Sequence, residues 1–350
     1  MIDPMKEKLD ELLALPLEKG PLLILTHDNP DPDSIASAVA MSVLLKETRG
    51  IESNVAYSGI IGRAENRAMA AELDLPIAHL DDYDLSKYGH FAIVDAQPGT
   101  GNSAVTSEHT IDIVVDHHFL REATAQSRFV DVREHIGASA TILTHYMRLA
   151  DVPIGTDVAT ALLYGIRSET QDLGREVSPE DRSAYEFLMP KIDPVKMANI
   201  ARPALERRYY QQLAKALNSL MIGQEEVICP MGEVTDPDFV PEMADLMVRM
   251  EGIVWSFAYG TFQNRMYVSI RANDHDANAG EVMMSVLNGI GKGGGHGMRA
   301  GGNVDLAELK LTRGELEAEL KHRFLAAIDA QSVVMRPLRT TDFRKTDEEE

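Results

Sequence analysis

Three short apolar runs in the first third of the chain each break off on acid. Pro21 to Leu25 (PLLIL) leads through Thr26 into His27, Asp31 and Asp33; His90 to Val94 leads into Asp95; and the run from Thr110 ends on Asp116, followed by His117 and His118. None of the runs has a helical period, and each is short enough to predict a buried parallel strand. Ser34 to Arg49 predicts a helix, Ser53 to Ser58 a further strand, and helical patterns return at Ala138 to Leu149, Val158 to Ser168 and Pro179 to Met189. Strand and helix in alternation imply an α/β fold built on a doubly wound, mainly parallel sheet. In such sheets, sites form beyond the carboxyl ends of the strands, so acids far apart in sequence should meet at one edge.

That convergence has a chemical consequence. Asp31, Asp33, Asp95 and Asp116 crowded together would repel one another strongly unless cations lay between them, and carboxylates with imidazoles suit manganese-type divalent ions. The single cysteine, Cys229, removes any cysteine-rich metal site from consideration. Asp-x-Asp alone reads equally as a turn followed by a helix cap, with Asp33 preceding the helix, and Asp95 alone could cap a loop. The adjacent His117 and His118, directly after a buried strand and an aspartate, are hard to explain as packing. His79, His90, His135 and His145 lack such company and read as surface or structural residues. Glu169 to Asp172, at the end of a predicted helix, is as readily a polar helix terminus as part of a site.

The pattern changes after Pro190. The expected division is a metal-binding domain over 1–195, a connecting helix and linker over 196–222, a smaller α+β domain with a mixed sheet over 223–335, and an acidic tail over 336–350. Strands are predicted at Glu226 to Cys229, Val254 to Tyr259 and Met266 to Ile270, a helix at Gly280 to Leu287, and a final helix within Leu306 to Ala330. Between these two helices, Gly291 to Gly302 (GKGGGHGMRAGG) has glycine at seven of twelve positions. It is read as an anion-binding loop in which bare backbone amides approach a phosphate, with Lys292, His296 and Arg299 interleaved. The glycine spacing and the missing Lys-Ser or Lys-Thr ending exclude a Walker loop. Arg271, at the end of a strand, is a second candidate anion contact.

A formal charge of -21 opposes any grip on long duplex nucleic acid, so a nucleic-acid substrate should be short. No apolar run approaches the roughly 18 residues of a membrane span, and the N-terminus does not read as a signal peptide, which leads to an expectation of a cytoplasmic location and no membrane partner. The rim of the first domain is a candidate homodimer surface that no residue pattern decides.

These residues resemble the DHH phosphoesterase superfamily, in its branch with a DHHA1 C-terminal domain, the group of nano-RNases and adenosine bisphosphate phosphatases. THDNPDPDSIAS is similar to the first family motif, IVDAQ to the second, VVDHH to the third, YGIRSET to the fourth, and GGGH with its trailing Ala-Gly to the DHHA1 signature. The resemblance implies two divalent cations, Mn(2+) before Mg(2+): one held by His27, Asp31 and Asp95, the other by Asp33, Asp95, His117 and Glu169, with Asp95 bridging. It implies that His118 faces the scissile phosphate and that Asp116 orients the histidines. It further implies that Arg271 and the Gly293, Gly294, Gly295 and His296 run hold the substrate from across an interdomain cleft. Glu169 stands where the family has aspartate, which leaves Asp172 as an alternative ligand. The implied reaction is hydrolysis of short 5'-phosphorylated oligonucleotides or adenosine 3',5'-bisphosphate by a metal-bridging hydroxide. Hydrolysis of inorganic pyrophosphate or polyphosphate, and a non-catalytic nucleotide sensor, are the rival readings.

Overall fold

The computed structural model describes residues 4–338, apart from 18–19, 101–102, 104–108, 176, 275 and 308; the acidic Thr346 to Glu350 segment lies outside the described residues. The chain forms two compact units, the first ending at Pro203 and the second beginning at Ala204.

In the first unit, α1 (Pro4–Leu13) precedes β1 (Leu22–Leu25), α2 (Pro32–Arg49), β2 (Ser53–Tyr57), α3 (Ala64–Glu72), β3 (Ile77–His79), β4 (His90–Val94), β5 (Ile113–Asp116) and β6 (Phe129–Val132). Four helices follow: α4 (Ser139–Leu149), α5 (Thr156–Glu169), α6 (Pro179–Leu188) and α7 (Pro194–Ala201). The six strands are all parallel in the order β3-β2-β1-β4-β5-β6, so the winding reverses between β1 and β4. Alternation along β1 assigns its side chains to opposite faces, as a period of two requires. Leu22 and Ile24 join the large core with α2, α4 and α5, while Leu23 and Leu25 join a smaller cluster closed by Leu80, Tyr83, Leu85 and Tyr88.

Three details differ from the sequence reading. The run from Thr110 becomes a strand only at Ile113; the Asp112 backbone just before it already bonds to Phe91 and Phe129, and its carboxylate faces the His90 ring and the Phe91 amide. Two short strands, β3 and β6, were not expected. The helix α2 starts at Pro32, and its cap is Asp31, which accepts a hydrogen bond from the Ser34 amide; Asp33 therefore lies inside the first turn rather than before it.

The second unit contains α8 (Arg207–Ser219), β7 (Met221–Ile222), β8 (Glu226–Glu233), α9 (Phe239–Met247), β9 (Trp255–Phe262), β10 (Arg265–Ala272), α10 (Ala279–Leu287), β11 (Lys292–His296), β12 (Arg299–Asp305), α11 (Arg313–Ala327) and β13 (Arg336–Pro337). Its sheet runs β11-β12-β10-β9-β8-β7-β13 and is mixed: β8 and β9 are parallel, the other pairs antiparallel. Phe257, Met266, Val268 and Ile270 pack under α10 and α11, and Val227, Cys229 and Ala258 pack under α8 and α9.

The expected glycine loop is a β-hairpin instead. β11 pairs with β12 from Lys292↔Asn303 to His296↔Arg299 across a turn at Gly297 and Met298. Several of its glycines answer to packing. A Cβ on Gly302 would lie 2.4 Å from Leu287 Cδ1, and a Cβ on Gly280 of α10 would lie 2.1 Å from the Gly295 carbonyl oxygen. Helix α10 can rest on the hairpin only because side chains are missing from both surfaces.

Candidate metal centre

The acids and histidines reach one place because β1, β4 and β5 are neighbours and point the same way. β1 delivers His27 and then Asp31 and Asp33 at the start of α2, β4 delivers Asp95, and β5 delivers Asp116, His117 and His118. Two groups have ligand atoms within 4.8 Å of one another: His27, Asp31 and Asp95, and Asp95, His117 and His118. Asp95 belongs to both. It follows β4 directly, is buried, and adopts φ 56°, a left-handed conformation uncommon outside glycine.

The imidazole tautomers follow from their partners. His27 Nδ1 lies 2.8 Å from the Asp28 carbonyl oxygen and His117 Nδ1 lies 3.1 Å from that of Ile136. A carbonyl only accepts, so Nδ1 carries the proton in both rings. Each Nε2 is thereby turned on the carboxylates: His27 is 3.7 Å from Asp31 Oδ1 and from Asp95 Oδ2, and His117 is 3.4 Å from Asp95 Oδ1 and 3.9 Å from Asp33 Oδ2. Lone pairs face lone pairs, and only a cation, whether a proton or a metal ion, reconciles them.

The electrostatics carry the same signature. Burial opposes a charge on His27, yet the hydrogen bond and charge of Asp31, with Asp95 beside them, push it up to about 10. His117 is likewise driven well above the usual imidazole range by Asp95 and Asp33 against its burial. Burial also opposes ionisation of Asp31, but His27 outweighs it and holds that carboxyl well below its ordinary range. Asp33 moves the other way: burial first, and then the charge of Asp95, raise it well above ordinary carboxylates. Divalent ions would relieve that repulsion, and the donor set of carboxylate oxygen and imidazole nitrogen fits manganese or magnesium.

Asp33 belongs to neither three-residue group. Its oxygens accept the Ser139 and Ala140 amides at 2.7 Å each, so it caps the start of α4 from another element. Gly165 of α5 lets this happen, since a Cβ there would lie 3.1 Å from Asp33 Cα. Glu169, the last residue of α5, acts by its charge on both Asp33 and His117. Asp172, the alternative ligand, pairs with Arg167. Asp116 accepts His118 Nδ1 at 2.8 Å and the His117 amide at 2.8 Å, and its ionised form is held at about 2, against burial, by His118. The His118 side chain is 44% exposed, the most open of the set.

Two residues escaped sequence reasoning. Gln97 donates to Asp116 Oδ2 at 2.6 Å, and the Ser139 hydroxyl donates to Asp95 Oδ1 at 3.0 Å. Gln97 is the last letter of IVDAQ and was visible there; Ser139, 44 residues after Asp95, gave no signal. His90 and His145 lie buried away from the centre against Asp112 and the Glu180 carbonyl, and His79 is paired with Asp81, in keeping with structural roles.

In the second unit, Arg271 is buried with its Nε on Asp245, and its Nη1 donates to Ser269 Oγ at 2.7 Å and to the Ile270 carbonyl at 3.0 Å. Its cross-strand partner is Arg299, which pairs in turn with His296. Register thus aligns the three residues in one row. Gly293, Gly294 and Gly295 are exposed along β11.

Residues 21–166 match the family model described as DHH family, N-terminal domain, and residues 224–330 match the DHHA1 domain. An uncharacterised protein of Methanocaldococcus jannaschii is 37% identical over 294 residues, 84% of this chain and 60% of that protein. A probable manganese-dependent inorganic pyrophosphatase of Listeria welshimeri is 26% identical over 148 residues, 42% of this chain and 47% of that one. This chain therefore spans less than two thirds of the length of either relative. The crystal structure of an exopolyphosphatase-related protein from Bacteroides fragilis has a TM-score of 0.73 at 13% identity, covering 94% of this chain and 97% of that one, a likeness of fold. Among the described residues no helix is long and apolar enough to cross a membrane.

Proposed function

Because the chain belongs to the DHH superfamily of phosphoesterases, in the group with a C-terminal DHHA1 domain, we propose that it is a two-metal phosphoesterase acting on short 5'-phosphorylated oligonucleotides or adenosine 3',5'-bisphosphate. The observation that carries the reading is Asp95, shared by two groups of ligand atoms and faced by two imidazoles whose lone pairs point at it. His27, Asp31 and Asp95 would hold one ion, and Asp95, His117, Asp33 and Glu169 the other. Two divalent cations at these positions supply a water acidified for attack on phosphorus and a Lewis acid for the phosphoryl oxygens.

The protein's own groups do the rest. Asp116 fixes the His118 ring through Nδ1, which leaves Nε2 on the exposed side to donate a proton toward the developing charge. Asp116 raises the basicity of His118 against its burial and so favours the protonated ring. In the second unit, Arg271, Arg299 and His296 form a register-aligned row beside exposed glycine amides, a composition suited to an anionic substrate group.

Inorganic pyrophosphate hydrolysis is a second reading, favoured by the Listeria relative, but that likeness spans 148 residues, too few to include both units. The deciding experiment measures phosphate and nucleotide release from pApA, adenosine 3',5'-bisphosphate, pyrophosphate and polyphosphate, each with manganese, magnesium or chelator. Metal-dependent release from the nucleotides supports the proposal. Release only from pyrophosphate or polyphosphate moves the function to the second reading, and release from none of them sinks both.

A further inference from the structure

Among the described residues of the first unit, five large apolar side chains stand exposed: Ile60 at 41%, Phe119 at 55%, Leu120 at 58%, Met189 at 49% and Val195 at 67%. Three of these lie just past the carboxyl ends of strands, Ile60 after β2 and Phe119 with Leu120 after β5. Those strands flank β1 and β4, which carry the core of the metal centre. Apolar groups thus sit on both sides of the charged cluster.

Their backbones are held in place. Gln97 Nε2 donates to the Phe119 carbonyl at 3.0 Å, its Oε1 accepts the Arg121 amide and the Thr124 hydroxyl at 2.8 Å each, and Glu134 accepts the Leu120 amide at 2.9 Å. On the other flank, Asn29 Oδ1 accepts the Ile60 amide at 2.8 Å, and the Asn29 amide donates to Ser58. Phe119 and Leu120 are adjacent, more than half exposed and carried on a backbone fixed by side-chain hydrogen bonds, so they make a fixed apolar surface.

We propose that Phe119 and Leu120, with Ile60 on the far flank, form an apolar rim that receives the nucleobases on either side of the scissile phosphate. This rests on the phosphoesterase reading above and adds the substrate's recognition to it. β2 and β5 are three strand intervals apart, about 14 Å, which is the scale of two bases splayed about one phosphodiester. A flat apolar ring three residues after Asp116 and next to His118 suits a ligand with both a phosphate and an aromatic face. Pyrophosphate has no aromatic face and leaves the rim without a purpose.

The test uses the full chain with manganese, comparing pApA with a 5'-phosphorylated dinucleotide analogue lacking both bases. Phe119→Ser is expected to raise KM for pApA about tenfold, the scale of one lost stacking contact, with kcat within about twofold and no change on the abasic analogue. Phe119→Trp, in a Trp255→Phe background, should keep the wild-type KM, and its fluorescence should be quenched by pApA. If wild type turns over pApA while Phe119→Ser, Leu120→Ser and Ile60→Ser leave KM unchanged, the rim assignment is wrong and the phosphoesterase reading stands. Should those variants instead shift the sedimentation coefficient from dimer to monomer with kinetics intact, the rim is a self-association surface. No turnover of pApA by wild type removes the rim as a seat for two bases, and the parent reading falls with it only if adenosine 3',5'-bisphosphate is not hydrolysed either.

Discussion

At the edge of the first sheet, charged side chains crowd together, whereas along the edge hairpin of the second glycines leave the chain without them. His27, Asp31, Asp95 and His117 come from three strands and oppose one another's lone pairs until a cation intervenes. Gly293, Gly295 and Gly302 come from one hairpin and are shaped by what packs against them. One region stores electrostatic tension; the other removes steric bulk. The difference predicts that the first should respond to charge and metal, and the second to volume.

The largest effect is expected from Asp95→Ala. Removing the one carboxylate common to both groups should lower kcat at least about a thousandfold, on the scale of losing an electrostatic element of a catalytic site, and titration calorimetry should show manganese binding weakened or lost. Substantial turnover by this variant would falsify the two-metal assignment and leave the comparison without its first half.

Metal and pH come next. His27, His117 and His118 have raised folded-state values, so the stability they contribute is fully present below the unfolded value of 6.5 and is lost as pH rises through the folded ones, about 10 for His27. Asp31 is depressed, and its contribution is lost as pH falls below its unfolded 3.8. In chelator, urea unfolding of the first unit, followed by circular dichroism, should therefore weaken between pH 6.5 and 10. Manganese at about 100 times its Kd should add about 2.7 kcal/mol and flatten that decline, because the ion replaces the protons. A metal-free protein equally stable at both ends of this window would contradict the electrostatic account.

In the second unit the matching test is volume. Gly280→Val would drive a side chain into the Gly295 carbonyl, and is expected to cost about 1–3 kcal/mol by overpacking. Trp255, the single tryptophan, lies in β9 and reports on this unit in a urea titration. Unchanged stability would mean that α10 and the hairpin do not meet as closely as described.

How far each region could be read from sequence follows from the same contrast. Leu22 to Leu25 is a continuous apolar run followed by Thr26 and His27, and Ile113 to Val115 is one followed by Asp116, so the strands and the convergence of their polar ends are legible together. Ile77 to His79 is too short to display a period, and Phe129 to Val132 carries Asp131 within it, so β3 and β6 were not. The sequence of the hairpin reads as a loop because glycine has no side chain with which to show alternation, and the partners at Leu287 and Gly280 explain the glycines at 293, 295 and 302. Asp33 was legible as an acid near the site but not as the cap of a helix more than a hundred residues away, a relation that exists only in the folded chain.

Gly294 separates shape from function most finely. A Cβ on it meets nothing within 4 Å and its φ is not in the left-handed region, so no steric demand in the structure requires glycine there. Gly294→Ala should leave the urea midpoint within about 0.5 kcal/mol of wild type, as expected of a surface substitution. If the exposed amides of β11 bind substrate phosphate, the methyl group will still obstruct them, and KM for pApA should rise several-fold with stability intact. An unchanged KM would assign this glycine to neither packing nor binding, and would confine the hairpin's part in recognition to Gly293, Gly295 and the row of Arg271, Arg299 and His296.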